Sequence, residues 1–493
     1  MNILLVSPKY PDTYWSFRHA LKFISKKASN PPLGLLTVAA MLPRGWERKL
    51  VDLNVHSLSD SDILWADYVF ISAMSVQAGS VSDVVQRCRE LGIKTVAGGP
   101  LFTGDPDSYP DLDHLVLNEA EVTFPEFLSD LISNTPKRVY RTGRFADMHH
   151  SPPPDYSLIK ASDYAQLSIQ YSRGCPYNCE FCEITALLGH KVRVKTTAQI
   201  LHELDTLYST GFRGNVFFVD DNFIGNRKLL KKELLPAISG WNRDRKYPFT
   251  FTTEASINLS GDPALMEGMV QAGFEKVFVG IETPELESLQ ECNKKLNIKH
   301  DLMSSVQRIQ SAGIEVSAGF IVGFDSDTQS IFQRQIDFIQ QSGIITAMVG
   351  LLNAPSRTRL YQRLKSEGRI IHTSGGDNTN FSMNFIPKMN KETLIRGYQT
   401  ILNNIYSSKA YHHRLIGFMR NFKPGTKART RVTFNRIMAL LRSAVFIGIL
   451  SSGRIYYWKL FIWSLFTRPR MFPMAITYSI YGYHFRKVYR IDS

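Results

Sequence analysis

Along the first 140 residues, short apolar runs alternate with stretches whose apolar positions recur every three or four residues. The runs at 2–7, 49–53, 68–73, 95–98 and 114–117 read as buried strands, and 33–42, 82–91 and 121–131 read as helices burying one face each. This alternation predicts a parallel sheet covered by helices, a Rossmann-like domain spanning 1–140. Polar residues and proline then dominate 134–157, including Pro152, Pro153 and Pro154, which predicts an extended linker centred on 141–160.

A second alternation follows. Strand patterns at 166–172, 215–220, 250–255, 276–282, 315–323 and 346–353 each lead into a helical pattern, the last at 356–367. Six such units predict an incomplete (β/α)6 barrel over 161–373, whose site should lie at the C-terminal strand ends. Beyond it the strand period stops, and 374–493 reads as a helical, aromatic extension. Its longest uncharged apolar runs, 443–453 and 471–485, fall short of the roughly 18–20 residues of a spanning helix. The fold class is therefore α/β with a helical C-terminal extension.

Composition changes this picture at one place. The net charge of +14 suggests nucleic acid until it is mapped: residues 409–493 hold 16 Lys and Arg against the single acid Asp492, so the first 408 are close to neutral. No nucleic-acid module accompanies that charge. In the same stretch Tyr456, Tyr457, Trp458, Trp463, Tyr481 and Phe485 lie among Arg454, Lys459, Arg468, Arg470, Arg486 and Lys487. Basic amphipathic helices of this composition lie on anionic membrane surfaces. Packing of the aromatics against the barrel is the alternative. The first apolar run ends at Ser7-Pro8-Lys9, unlike a secretory leader, and five cysteines do not make a disulfide framework. The expected location is the cytoplasm, peripheral at the inner face of the membrane.

Three of those cysteines carry the chemistry. Cys175, Cys179 and Cys182 form a CxxxCxxC run just after the first barrel strand, at the mouth where a barrel site belongs. Three thiolates can take three irons of a cubane, leaving the fourth iron open. The alternative is a structural zinc or a redox pair, with His190 the nearest fourth ligand, and the spacing fits neither well. Cys88 and Cys292, alone in helical surroundings, read as small buried hydrophobes.

The run resembles the radical S-adenosylmethionine (SAM) superfamily, and the resemblance covers the whole barrel. It implies a [4Fe–4S] cluster on the three cysteines, with SAM chelated at the open iron and cleaved to a 5′-deoxyadenosyl radical. By the same resemblance Phe181 lies beside the adenine, and Asp220 and Asp221 end the second strand where the methionyl part of SAM is held. Glu254 and Glu282 end the next two strands, where the ribose and carboxylate are contacted. Gly319 and Gly323 flank the end of the fifth, where the nucleoside approaches the backbone.

A Rossmann-like domain before such a barrel resembles the cobalamin-binding class of the superfamily. The match includes Pro31-Pro32-Leu33-Gly34-Leu35, Asp52-Leu53-Asn54 and Ala97-Gly98-Gly99-Pro100. It implies cobalamin against the loops holding Met74, Gly98, Gly99 and Glu119. The DxHxxG signature whose histidine ligates cobalt is absent, since His56 falls two positions late. No GxGxxG follows the first strand, which argues against a dinucleotide.

With the ending Tyr481-Gly482-Tyr483-His484-Phe485-Arg486, the whole chain resembles the hopanoid methylase-related family. That resemblance implies C-methylation of an unactivated carbon of a small apolar substrate, such as a hopanoid or other polyprenoid lipid. It also implies a reducing electron donor such as flavodoxin or ferredoxin. Two alternatives stay open: radical cyclisation or carbon–carbon bond formation on a lipid or tetrapyrrole without methyl transfer, and a non-catalytic Fe–S or cobalamin-binding protein.

Overall fold

The computed structural model describes residues 1–377, 379, 381–425 and 434–491. Two parallel six-stranded sheets organise them. In the first, β1 Asn2–Ser7, β2 Glu47–Asp52, β3 Tyr68–Ser72, β4 Lys94–Gly98, β5 His114–Val116 and β6 Val139–Tyr140 run in the order β2-β1-β3-β4-β5-β6. Leu4 and Val6 face α2 Ala78–Glu90 through Val81, Val84 and Cys88. Ile3 and Leu5 face the opposite layer, α1 Leu33–Met41 and α3 Ala120–Ile132, through Leu35, Ala39, Phe124 and Phe127. Burial on both faces is why these strands read as continuous apolar runs. Strand β6 lies where the sequence reads as the start of the linker; the Tyr140 hydroxyl donates to Asp130 at 2.9 Å and accepts from the Lys137 amide, which holds the short segment in the sheet.

The second sheet holds β7 Leu167–Ile169, then, after the small antiparallel pair β8 Ser172–Arg173 and β9 Arg193–Val194, β10 Gly214–Phe218, β11 Phe249–Glu254, β12 Phe274–Glu282, β13 Glu315–Val322 and β14 Ala347–Leu351. Its order, β14-β13-β12-β11-β10-β7, is that of an open six-stranded half-barrel, as expected. The strand anticipated at 166–172 is cut in two. Asp220 accepts from the amides of Tyr171 and Ser172 and from the Ser172 hydroxyl, turning the chain out of the ladder. Outside the sheet lie α4 Thr197–Ser209, α5 Leu235–Asp244, α6 Pro263–Ala272, α7 Leu302–Ser311, α8 Ser330–Ser342 and α9 Arg359–Ser366.

The extension forms α10 Lys391–Tyr406, α11 Ser408–Asn421, α12 Phe434–Phe446, α13 Arg454–Thr467 and α14 Phe472–Val488. Helix α10 protects the free edge of the sheet, the Tyr398 and Tyr406 hydroxyls donating to the carbonyls of Val349 and Ala347 on β14. Helix α14 closes the N-terminal end of the barrel: Tyr478 and Tyr481 lie under Lys276, which pairs with Glu315 at 3.1 Å. The segment after β1 joins them there, with Tyr14 stacked on Phe485 at 4.4 Å between ring centres. The aromatic tail is thus packed against the barrel in part and exposed in part. Phe485 and Tyr478 of α14 and Tyr457 of α13 are packed inside, whereas Phe434 and Leu441 of α12, Leu450 of the turn after it, and Ile455, Ile462 and Phe466 of α13 are exposed, Phe466 by 80%. Among the described residues no helix is long and apolar enough to cross a membrane.

Candidate functional site

The three cysteines lie on one loop, pinned from several sides. Gly174 sits at φ +91, and a Cβ there would meet the Lys191 carbonyl at 2.5 Å, so only glycine turns the chain from β8 into Cys175. The Cys175 amide donates to Gly189 and the Cys182 amide to Cys179. Between them Glu180 receives Arg363 of α9 at 2.8 Å, and its amide donates to the carbonyl of Cys292. Burial raises all three thiols, Cys182 to about 12; Cys175 and Cys182 are raised further by neighbouring cysteines and Cys179 by Glu282. Yet among the described residues no three His, Cys, Asp or Glu side chains converge closely enough for one ion. Three thiols on one loop supply the three protein ligands of a cubane and fall short of the four of a structural zinc. His190 is exposed. Cys88 and Cys292 are buried, and the Cys292 thiol turns to the Leu289 carbonyl.

Carboxylates gather at the next strand ends. Asp221 and Glu254 are pushed up to about 6 and about 8, burial being the main cause for both and Asp221 and Asp220 adding to it for Glu254. No hydrogen bond or cation among the described residues reaches the Glu254 carboxylate. An unpartnered acid beside two others suits a cationic ligand, and SAM carries both an ammonium and a sulfonium, so the residues fit that cofactor. Asp220, pushed to about 7 by burial, is spent on the Tyr171–Ser172 turn. It shapes the approach to the cysteines from behind. Asn258 donates to the Tyr177 hydroxyl at 2.9 Å, tying the loop after β11 to the cysteine loop.

Glu282, at φ +64, receives Lys294 at 2.7 Å. Against the cost of burial, Glu282 and Cys179 hold this lysine above its ordinary value. Its ammonium also lies 6.0 Å from the ring centre of Phe181. Lys294 is therefore a site residue that no motif signalled. The two glycines have local explanations. A Cβ on Gly319 would meet the Phe278 ring at 3.0 Å, whereas Gly323 takes φ +108 and backs onto Leu394 and Met383. Neither needs a nucleoside to account for it.

Inside the barrel, register puts Glu254, Phe278 and Ser317 in one rung and Gly280, Gly319 and Met348 in the next. Their neighbours Val277, Val279, Val316 and Ala318 are fully buried towards the helices, so these rungs face inward. Trp15 reaches into this space from the segment after β1, edge-on to Phe278 at 5.3 Å between ring centres and with its indole N–H 3.0 Å from the Met348 sulfur. Trp15 remains 42% exposed, so an apolar wall stands open one strand away from Glu254.

The strand-end loops of the first sheet face the same mouth. Asp52 accepts from Asn54 and from the Tyr164 hydroxyl at 3.0 Å, and burial raises its carboxyl. Asn54 in turn accepts from the Tyr10 amide. Both hold loops together. Gly99 takes φ +96 close to the backbone of Ala73, and a Cβ on Gly98 would meet the Val116 carbonyl at 2.8 Å. Met74 is 51% exposed. Its exposed side chain at the strand ends offers an apolar contact that fits the face of a corrin. His56 is exposed, 3.8 Å from Asp163.

Glu119 differs from the expectation of a cofactor contact. Its carboxylate, 3% exposed, receives Arg173 at 3.0 Å and Arg193 at 2.8 Å, while Glu121 takes both terminal nitrogens of Arg173. Burial opposes the Glu121 charge, but Arg173 overrides it and holds the carboxyl at about 2. These four residues join the first sheet to the residue before Gly174. Arg173, adjacent to the cysteine motif, could have been noticed in the sequence; Arg193 could not.

The chain matches the radical SAM superfamily over residues 169–339, a B12 binding domain over 24–128 and a domain of unknown function over 358–492. It is 38% identical over 492 residues to an uncharacterised methyltransferase of Synechocystis sp., covering 98% of this chain and 91% of that protein. It is 36% identical over 472 residues to the hopanoid C-2 methylase of Rhodopseudomonas palustris, covering 93% and 88%. Among solved structures it resembles the cobalamin-dependent SAM radical enzyme OxsB with aqua-cobalamin bound, with TM-score 0.66, 14% identity and coverage of 99% and 79%. It also resembles the radical SAM methyltransferase TsrM from Kitasatospora setae, with TM-score 0.60, 13% identity and coverage of 99% of both chains.

Proposed function

The chain belongs to the cobalamin-dependent radical SAM methyltransferases, in the company of the hopanoid C-2 methylase, and on that premise we propose that it methylates an unactivated carbon of an apolar, polyprenoid lipid-like molecule. Membership sets aside the two alternatives left by the sequence, cyclisation without methyl transfer and a non-catalytic role. The observation that carries the substrate class is the inward wall of Trp15, Phe278 and Met348, open beside Glu254. The wall is apolar apart from the Ser317 hydroxyl beside Phe278, and an apolar substrate gains about 25 cal/mol per Å² removed from water there. The exposed apolar face of α12 and α13, set among basic residues, supports delivery of such a molecule from a membrane surface.

When bound, the cluster supplies the electron that cleaves SAM and cobalamin carries the methyl group. On this reading Cys175, Cys179 and Cys182 hold the cluster, and Asp221 and Glu254 face the positive groups of SAM. Phe181 and the Lys294–Glu282 pair border the same ligand. Asp220 shapes the cysteine approach. Met74, Gly98 and Gly99 line the corrin side, with Asp52 and Asn54 bracing its loops. Trp15 and Phe278 orient the substrate carbon and keep water from it. The electron comes from a small donor of the flavodoxin or ferredoxin type.

The test is anaerobic incubation of reconstituted enzyme with SAM, cobalamin, reductant and fractionated lipid extract. The apolar fraction should stimulate 5′-deoxyadenosine release and yield a product heavier by one CH₂. Stimulation by the water-soluble fraction alone would reject the substrate class.

A further inference from the structure

Arg486 on α14 is 5% exposed, its Nε is buried without a partner, and among the described residues no hydrogen bond or ion pair involves its side chain. Guanidinium does not lose its proton in proteins, and a buried unpaired charge is among the most costly arrangements a fold can hold. Arg173 is compensated by Glu119 and Glu121 and Arg193 by Glu119, while Arg414, which also meets no carboxylate, donates to Gln340 and to the Ile405 carbonyl. The helices around Arg486 offer no such partner, since residues 409–491 contain no Asp or Glu, and no carboxylate from the barrel bears on its charge.

Arg486 lines a small cleft between α11, α13 and α14, together with His412, Ser408 and Tyr456. Both ring nitrogens of His412 are buried and unpartnered, and burial holds this histidine down at about 4. Lys459, which lies over the Tyr456 ring, adds positive charge at the rim. The space inside, ≈ 30 Å³, holds about two waters, so it admits the oxygens of a small anion seated at the cleft mouth and excludes a nucleotide. A cleft with a buried cation, unpartnered donors and no acid lacks the anion that would complete it.

We propose that this cleft is a phosphate-class anion site, in which Arg486 supplies the buried charge and His412 and Ser408 the hydrogen bonds. The occupant is free phosphate or the phosphate of a lipid headgroup, whose acyl chains would then lie along the exposed face of α13. The site stands independently of the methylation substrate.

The test uses the full-length reconstituted enzyme. Potassium phosphate, compared with potassium chloride at equal ionic strength, should raise the melting temperature by about 1–2 °C once it is well above its Kd. Arg486→Gln should abolish that rise while melting no lower than wild type without phosphate, since it removes an unpaired buried charge. If this variant does not fold, Ser408→Ala and His412→Gln take its place, each expected to cut the shift at least twofold. Vesicles separate the two sources. If the headgroup is the occupant, retention on phosphatidylcholine vesicles containing phosphatidic acid should fall several-fold in the variant, and free phosphate should compete. If the free ion is the occupant, the phosphate shift is lost but vesicle retention is unchanged. A wild-type protein with neither response, or variants that keep both, would overturn the site.

Discussion

At the C-terminal end of the barrel three thiols, Asp221 and Glu254 are buried with few partners, whereas at the N-terminal end Tyr14, Tyr406 and Phe485 fill the space and Lys276 meets Glu315. The first arrangement is poor for stability and is completed only by ligands. The second is complete in itself. The difference divides the molecule into an end that does chemistry and an end that holds the barrel shut, and substitutions at the two ends should separate accordingly.

The largest effect belongs to the mouth. Cys175→Ala, Cys179→Ala or Cys182→Ala should each drop SAM cleavage to background and remove the iron-dependent absorbance, with little change in the melting of the cluster-free chain. Cys292→Ala should keep its iron. Iron content and 5′-deoxyadenosine yield decide this, and retained cleavage in any of the three would erase the distinction between the ends.

At the other end Tyr14→Ala removes a stacked ring and its hydroxyl contact with Tyr406. Denaturant unfolding should show a loss of about 3–5 kcal/mol, while cleavage per folded molecule is retained. Activity lost without stability would break the comparison.

A smaller, pH-dependent effect sharpens it. Glu254 is raised to about 8 by burial and its two acidic neighbours, so below that pH it is mostly protonated in the ligand-free protein. A cationic ligand prefers the ionised form; SAM affinity should therefore rise by up to about tenfold per pH unit towards pH 8 and level off above it. In the ligand-free protein the sign reverses. A carboxyl whose folded value exceeds its unfolded one loses stability as pH climbs from about 4.5 to 8. Glu254→Gln should flatten both profiles, as isothermal binding and denaturation at several pH values would reveal.

The smallest change in stability is expected on the exposed helices. Phe466→Asp or Leu450→Asp should alter stability by no more than about 0.5 kcal/mol. Sedimentation with anionic vesicles should nonetheless show several-fold weaker retention. Unchanged retention would mean that this face serves something other than a membrane.

What could be read from the sequence follows the same division. Strands such as β1 and β12 were legible because continuous or alternating apolar runs are the direct signature of burial. The cysteine motif was legible because its ligands are neighbours in the chain. The interruption after Ile169 was not, since it depends on Asp220 about fifty residues later. Nor was the inward position of Trp15, the pairing of Lys294 with Glu282, or the isolation of Arg486. Each is a relation between distant positions. Composition alone also failed to separate α13 from α14: both are aromatic and basic, yet one exposes Ile455, Ile462 and Phe466 while the other buries Tyr478 and Phe485.

The clamp of Glu119 and Glu121 on Arg173 and Arg193 bears on inheritance. Its acidic half lies before the linker and its basic half after it, 52 to 74 residues apart. A crossover in the linker would hand one half to a chain that lacks the other, leaving buried charges unpaired at a cost of about 3–5 kcal/mol. The two cofactor domains are thus expected to descend as a single unit. A chimaera that exchanges one of them should fold only when all four residues travel together.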